Sequence, residues 1–146
     1  MKKISVILLL TLILSFSAMS QTTSKPKTFT LPTNIAKNVG KYPDVLFRDA
    51  SIKSRMKKLM GKNYASFFES FETQAPFVKK GDFLFSSGCL IHACGHLESA
   101  IAIDLVNKTI HTAIYNEIEP TKYFNEGNRK IPTAIQEWAN NLVANR

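Results

Sequence analysis

The sequence predicts an α+β domain in which an antiparallel β-meander sheet has helices packed on one face. Apolar residues recur at helical spacing in the first half of the domain, whereas they alternate along the chain beyond Pro76. The alternating segments follow one another through short turns, and such connections join antiparallel strands. We therefore expect one layer of helices on one antiparallel sheet.

The N-terminus has the pattern of a cleaved signal peptide. Lys2 and Lys3 are basic, residues 4–16 are mostly apolar, and Ala18 and Ser20 are small residues at the positions that a signal peptidase reads. We predict cleavage after Ser20, which makes residues 1–20 a signal peptide and the protein periplasmic or secreted. A membrane anchor is disfavoured, because the apolar run is short and no stop-transfer charges follow it.

The exported chain should be basic, but its charge pattern does not indicate a nucleic-acid partner. The formal net charge is +8, and removal of Lys2 and Lys3 with the signal peptide lowers it to +6. The lysines are spread along the chain, without an arginine-rich block or a basic stripe interleaved with aromatic residues. We expect a solvated basic surface and, after signal removal, no segment that spans a membrane.

The exported chain divides into a leader and one domain. Residues 21–30 are polar, and the next stretch has prolines near both ends and no sustained periodicity. We expect a flexible or irregular leader over residues 21–44 and a single domain over residues 45–146. This length is sufficient for a modest core.

Two consecutive helices should open the domain. Asp49 or Ser51 can cap the first helix, Gly61 is placed to end it, and Asn63 can cap the second helix. The apolar face of the first helix comprises Ile52, Met56, Leu59 and Met60, and the stripe of the second comprises Tyr64, Phe67, Phe68 and Phe71. We interpret the aromatic stripe as core rather than as a ligand box.

Four strands are expected after the helices. Residues 77–78 and 83–85 form a predicted hairpin with its turn at residues 79–82, and the second strand continues into the cysteine stretch. Residues 99–105 show the alternation of a half-buried strand, and Asn107-Lys108 can form the turn to a strand over residues 109–115. The alternating segments and the short turns between them thus predict a β-meander.

The C-terminal part should end in a helix. Residues 117–129 are polar and turn-rich, and a final helix is expected to start near Pro132 and to dock through Trp138. The predicted core between helices and sheet consists of Phe67, Phe71, Ile101, Ile103, Ile114 and Trp138.

Most of the chemically reactive side chains lie between Ser86 and His96. This stretch holds both cysteines, Cys89 and Cys94, and two of the three histidines, one of which is His92. An even cysteine count in an exported chain favours a disulfide, which here would close a small ring with His92 on its rim. A rigid loop loses less entropy on binding, so the ring is a candidate recognition element.

Four alternatives stay open on the residues alone, and one of them is a glycosidase-like pair of carboxylates among Glu98, Asp104, Glu117 and Glu119. The two cysteines and two histidines are zinc-ligand types, although four ligands within eight residues are compressed. A free thiol beside a histidine can catalyse acyl transfer, although an oxidising compartment would consume both thiols. In the structural alternative, Leu90 and Ile91 belong to the core and the disulfide only joins two strands.

The cysteine stretch resembles that of the Ivy family, the inhibitors of vertebrate C-type lysozyme. In that family the stretch reads Cys-Lys-Pro-His-Asp-Cys-Gly, and the similarity is clearest from about Phe83 to Tyr115. The resemblance implies that a disulfide-closed loop plugs the lysozyme cleft and that its histidine bonds the two catalytic carboxylates. By position, the bridge is Cys89–Cys94 and the inserted histidine is His92.

The sequence departs from the family at three loop positions. Leu90, Ile91 and Ala93 replace lysine, proline and aspartate, which removes a fixed φ at residue 91 and a hydrogen-bond acceptor at residue 93. A basic lysozyme would also be repelled at long range by a chain of net charge +6, unless acidic side chains cluster locally.

The resemblance implies an exported inhibitor without catalytic activity or cofactor. Its expected partner is a C-type lysozyme or a similar glycan hydrolase, and a homodimer is compatible with the sequence. The expected target-binding residues are Leu90, Ile91, His92, Ala93 and His96. The second hypothesis is an exported binding or envelope protein of the same fold with another target, and the third is a zinc-binding or thiol enzyme.

Overall fold

One antiparallel sheet organises the structure, a computed structural model that describes residues 30–145. The predicted signal peptide and the first residues of the predicted leader lie outside this range. The α-helices are α1 (Asp44–Phe47), α2 (Ala50–Met60), α3 (Tyr64–Glu69) and α4 (Thr133–Ala144). The strands are β1 (Thr73–Gln74), β2 (Val78–Lys80), β3 (Phe83–Cys89), β4 (Leu97–Asp104), β5 (Ile110–Asn116) and β6 (Glu119–Asn125).

The strand order confirms the predicted α+β class with an antiparallel sheet. The sheet runs β1-β3-β4-β5-β6, and β2 also pairs with β3. The β3–β4 connection (residues 90–96) and the β5–β6 turn (residues 117–118) therefore leave the sheet at one end, which we call the loop end. The β4–β5 connection (residues 105–109) lies at the opposite end, and we call it the far turn.

Helix α2 begins and ends at residues that the sequence indicates. The Asp49 carboxylate accepts hydrogen bonds from the backbone N–H groups of Ser51 at 2.8 Å and Ile52 at 3.2 Å. The hydrogen bond from the Ser51 hydroxyl is the main cause that lowers the pKa of Asp49. Gly61 ends the helix with a φ of 55°, a left-handed conformation that glycine adopts without steric cost.

Asn63 does not cap α3, so that prediction is wrong. Its side-chain amide donates backwards to the Met60 carbonyl at 3.4 Å, because a short 3₁₀ turn (Gly61–Asn63) joins α2 directly to α3. The aromatic stripe is core as predicted, with Phe67 and Phe71 fully buried and stacked at a centroid distance of 5.0 Å.

Helices α1, α2 and α3 cover one face of the sheet. Their buried side chains pack with alternate strand residues in one cluster, whose strand members are Leu84, Ile101, Ile103, Ile110 and Ile114. Leu31 and Ile35 join this cluster, so the described part of the predicted leader lies on the domain. All six predicted core residues are buried, but only five of them lie in this cluster, because Trp138 packs in a second one on the other face.

Helix α4 covers the opposite face, which corrects the expectation of helices on one face. Ala100 and Ala102 on β4 are fully buried and pack in a second cluster with Trp138 and Tyr115. The alternation along β4 predicts a half-buried strand, but both faces of β4 are covered. Small alanine side chains leave room for the large Trp138 ring on this face.

Two further differences concern the end strands and turns. The segment over residues 117–129, expected to be irregular, contains β6, an edge strand in which Pro120 is tolerated because it needs no ladder partner on its open side. The turn expected at Asn107-Lys108 is a longer loop, because the Asp104 carboxylate accepts backbone hydrogen bonds from Val106 and Asn107.

Candidate functional site

The cross-linked loop (residues 89–96) connects β3 and β4 at the loop end. Cys89 is the last residue of β3, and a disulfide joins it to Cys94 with a Cα–Cα distance of 5.0 Å. Gly88 is required just before the loop, because a Cβ atom there would lie 2.7 Å from the Thr73 carbonyl oxygen. The close approach of β1 to β3 thus fixes the first half of the ring.

Two successive turns shape the loop. The Ala93 N–H donates to the Leu90 carbonyl at 2.9 Å, and the His96 N–H donates to the Ala93 carbonyl at 3.0 Å. His92 occupies the first turn with a φ of 63°, and Gly95 the second with a φ of 89°. A left-handed φ is uncommon outside glycine, although histidine adopts it more readily than most residues.

The tip of the loop is exposed. The Ile91 side chain is 47% exposed and His92 is exposed, whereas Leu90 and Ala93 are half-buried. The His92 side chain forms no hydrogen bond or ion pair with any described residue. Because Ile91 is not in the core, the structural alternative does not hold for the tip.

Glu98 holds the base of the loop. One carboxylate oxygen accepts the Gly95 N–H at 2.8 Å, and the other accepts the Trp138 indole N–H at 3.3 Å. The same side chain therefore connects the loop to α4 on the second face of the sheet. Glu98 also supplies a side-chain acceptor to the loop, which the alanine side chain at residue 93 cannot do.

His96 has a different environment from His92. Its backbone carbonyl accepts the Glu117 N–H at 2.9 Å, and its Nδ1 pairs with the Glu117 carboxylate. His96 is thus tied to the β5–β6 turn, whereas the His92 side chain has no hydrogen-bond or ion-pair partner within residues 30–145. Among the predicted binding residues, the structure brings Ile91 and His92 to the exposed tip and places His96 at its base.

Sequence reasoning did not identify Glu117 and Ile118 as neighbours of the loop. Their position follows from β6, which turns back beside β5 directly after them. A signal was present, since Asn116 ends the strongly alternating strand that pairs with β4 and Glu117 follows it directly. Pro120 and the charged residues around it concealed the returning strand.

The disulfide argues against the zinc-binding and thiol-enzyme alternatives. Zinc ligation and acyl transfer both need a cysteine thiolate. In the structure both sulfur atoms are joined to each other, and no other cysteine occurs in the chain. The oxidised loop is therefore suited to presenting its tip rather than to binding a metal or attacking a substrate through sulfur.

The fold and the loop define a small α+β protein. Its antiparallel sheet is covered on both faces, and the cross-linked loop extends from one end of the sheet. The chain belongs to the Ivy family, because the family model "Inhibitor of vertebrate lysozyme (Ivy)" matches residues 51–145. The predicted resemblance is confirmed, and Ivy is a family of inhibitors rather than of enzymes.

The matched residues include the whole sheet, the cross-linked loop and helix α4. No curated protein and no solved structure matches the chain significantly. Within residues 30–145, no helix is long and apolar enough to cross a membrane.

Proposed function

We propose that the protein is an exported inhibitor that blocks the active-site cleft of a lysozyme with the cross-linked loop. The observation that carries the proposal is His92, an exposed imidazole without a partner in the described part of the chain, at the tip of a covalently closed ring. The family match supports a lysozyme as the partner. Export is supported by the N-terminal signal pattern.

The chemistry of the target explains why an imidazole is suitable. A lysozyme cleft holds a protonated glutamic acid and an ionised aspartate on opposite sides of the scissile bond. The two ring nitrogens of His92 can each form a hydrogen bond, one to each carboxyl group. A histidine in this position occupies the place of the substrate and undergoes no reaction itself.

The rigidity of the loop should favour tight binding. The disulfide, the two turns and the Glu98 carboxylate fix the ring before it meets a partner. Pre-organisation reduces the conformational entropy lost on association. Ile91, exposed beside His92, offers an apolar contact that would exclude water from the histidine–carboxylate bonds.

A lysis assay tests the proposal. The turbidity of a cell-wall suspension treated with lysozyme is followed with wild-type protein, His92→Asn and His96→Ala. Asparagine tolerates the left-handed φ of residue 92, so His92→Asn removes the imidazole with little effect on the loop. We expect His92→Asn to lose about 2–5 kcal/mol of binding free energy, or about 30-fold or more in inhibition.

His96→Ala should have a smaller effect, because His96 lies outside the disulfide ring and contacts Glu117. Equal inhibition by wild type and His92→Asn would rule out insertion of His92. A folded wild type that inhibits no lysozyme would favour the second candidate, a binding protein with another target. The apolar Leu90 and Ile91, at positions where the family has lysine and proline, favour that candidate.

A further inference from the structure

Acidic side chains are concentrated at the loop end, although the chain as a whole is basic. Glu98 and Glu117 lie at the base of the cross-linked loop, and Glu119 begins β6 beside them. Glu72 is exposed and directly precedes Thr73, which pairs with Cys89. Four carboxylates are therefore gathered at the loop end of a chain that is basic as a whole.

Lysine and arginine are rare in the strands and turns that carry these carboxylates. Residues 81–107 and 109–121 contain no lysine or arginine. Lys122 is the next cation along β6, and its ammonium is bonded to the Glu119 carboxylate at 2.7 Å. The lysines of α2, by contrast, occupy a stretch without acidic residues between Ala50 and Asn63.

An exposed apolar side chain lies within this acidic region. Ile118, at the tip of the β5–β6 turn, is 83% exposed. A groove lined by Gly95, His96, Ile118 and Leu142 joins the turn to the cross-linked loop. The hydrogen bond from the Glu117 N–H to the His96 carbonyl fixes the turn against the loop base.

We propose that the β5–β6 turn is a second contact element, and that the partner it fits is a lysozyme with a basic cleft rim. This inference rests on the proposed function, because a loop inserted in the cleft brings the adjacent turn to the rim. Ile118 would contact an apolar side chain of the rim, and the surrounding glutamates would attract its cations. These carboxylates would also offset part of the long-range repulsion between a basic inhibitor and a basic enzyme.

Two matched pairs of variants test the second contact. Ile118→Ser and Val106→Ser remove equivalent exposed apolar side chains, one at the loop end and one in the far turn, where Val106 is 66% exposed. Inhibition of a basic lysozyme should weaken about tenfold in Ile118→Ser, because an isoleucine contact is lost. Val106→Ser should inhibit like wild type.

The second pair tests the charge. Glu119→Lys and Asp82→Lys make the same change of charge at opposite ends of the sheet, and both positions are exposed. The association rate with a basic lysozyme should fall about tenfold in Glu119→Lys at low salt and recover as salt is added. Asp82→Lys should change the rate far less.

The outcomes separate this inference from the proposed function. If wild type inhibits and His92→Asn does not, but the members of each pair behave alike, the second contact is overturned and the function stands. If acidic lysozymes are inhibited and basic ones are not, the assigned partner is also overturned. If wild type inhibits no lysozyme, the proposed function fails and this inference fails with it.

Discussion

The cross-linked loop and the far turn are connections at opposite ends of β4, and each contains a non-glycine residue with positive φ. His92 has a φ of 63° and Lys108 a φ of 57°. In the far turn, the Lys108 ammonium donates to the Leu105 carbonyl, so the side chain returns to its own turn. In the loop, the His92 side chain has no such partner among the described residues.

The two connections are also held in different ways. The far turn is organised from inside by the Asp104 carboxylate, which accepts hydrogen bonds from Val106 at 2.9 Å and from Asn107 at 2.7 Å. The loop is held at its base by the disulfide, Glu98 and Glu117, which leaves its tip free. The comparison teaches that the same uncommon backbone conformation turns a side chain back onto its own turn in one place and leaves a side chain exposed at a tip in the other.

The largest expected loss of stability follows from breaking the contact between the loop base and α4. Trp138 is buried and its indole N–H donates to Glu98, so Trp138→Ala should lower the free energy of unfolding by about 3–5 kcal/mol. Chemical denaturation measures this loss, and Trp138→Phe, which keeps most of the ring volume, should lose clearly less. Unchanged unfolding of Trp138→Ala would contradict the docking of α4.

Removal of the disulfide should affect the loop and leave the far turn intact. Replacing both Cys89 and Cys94 by serine frees a short ring, so the unfolding free energy should fall by about 2 kcal/mol while inhibition falls more strongly. Denaturation and inhibition titrations measure the two effects. Alkylation of the denatured, unreduced wild type should add no label, and two labelled thiols would contradict the bridge.

The far turn should respond to pH through Asp104. Burial would raise the pKa of Asp104, but hydrogen bonds from Asn107 and Val106 outweigh it and lower the pKa below its ordinary value. The stability from this group is therefore complete above the unfolded pKa of about 3.9 and is lost as pH falls through the lower folded pKa.

Asp104→Asn tests this contribution. The variant should lose about 1–2 kcal/mol of unfolding free energy at neutral pH, and the difference from wild type should shrink in acid. Unfolding curves at several pH values measure it. Inhibition at neutral pH should be unchanged, since Asp104 lies at the far end, and a parallel loss of inhibition would show that the two ends are coupled.

The smallest expected effects on stability come from glycine substitutions at the two residues with positive φ. Glycine at residue 92 or 108 relieves the positive φ but makes the unfolded chain more flexible, so each variant should stay within about 1 kcal/mol of wild type. Inhibition should be lost in His92→Gly and kept in Lys108→Gly. Loss of inhibition in both would mean that added backbone flexibility at either end of the sheet, and not only removal of the imidazole, reduces inhibition.

The parts of the fold that depend on local chemistry were predictable from the sequence. Asp49 and Gly61 bound α2 through a side-chain cap and a left-handed φ, and both effects involve neighbours along the chain. The pairing of Cys89 with Cys94 was predictable for a similar reason, because no other cysteine is present.

The remaining features depend on contacts between distant residues. Ala100 and Ala102 resemble an exposed strand face until α4 is known to lie on them. Strand β6 is concealed by Pro120, which only an edge position tolerates. The support that Glu98 gives the loop involves Trp138, which lies 40 residues away, and no local pattern indicates such a bond.

Competition for the lysozyme cleft tests most directly whether the cross-linked loop occupies it. Binding of wild-type protein to lysozyme is titrated at increasing concentrations of a soluble oligomer of the cell-wall glycan, which fills the same cleft. We predict that the apparent Kd rises in proportion to the oligomer concentration once the oligomer exceeds its own Kd. An apparent Kd that does not change with the oligomer would contradict occlusion of the cleft by the loop.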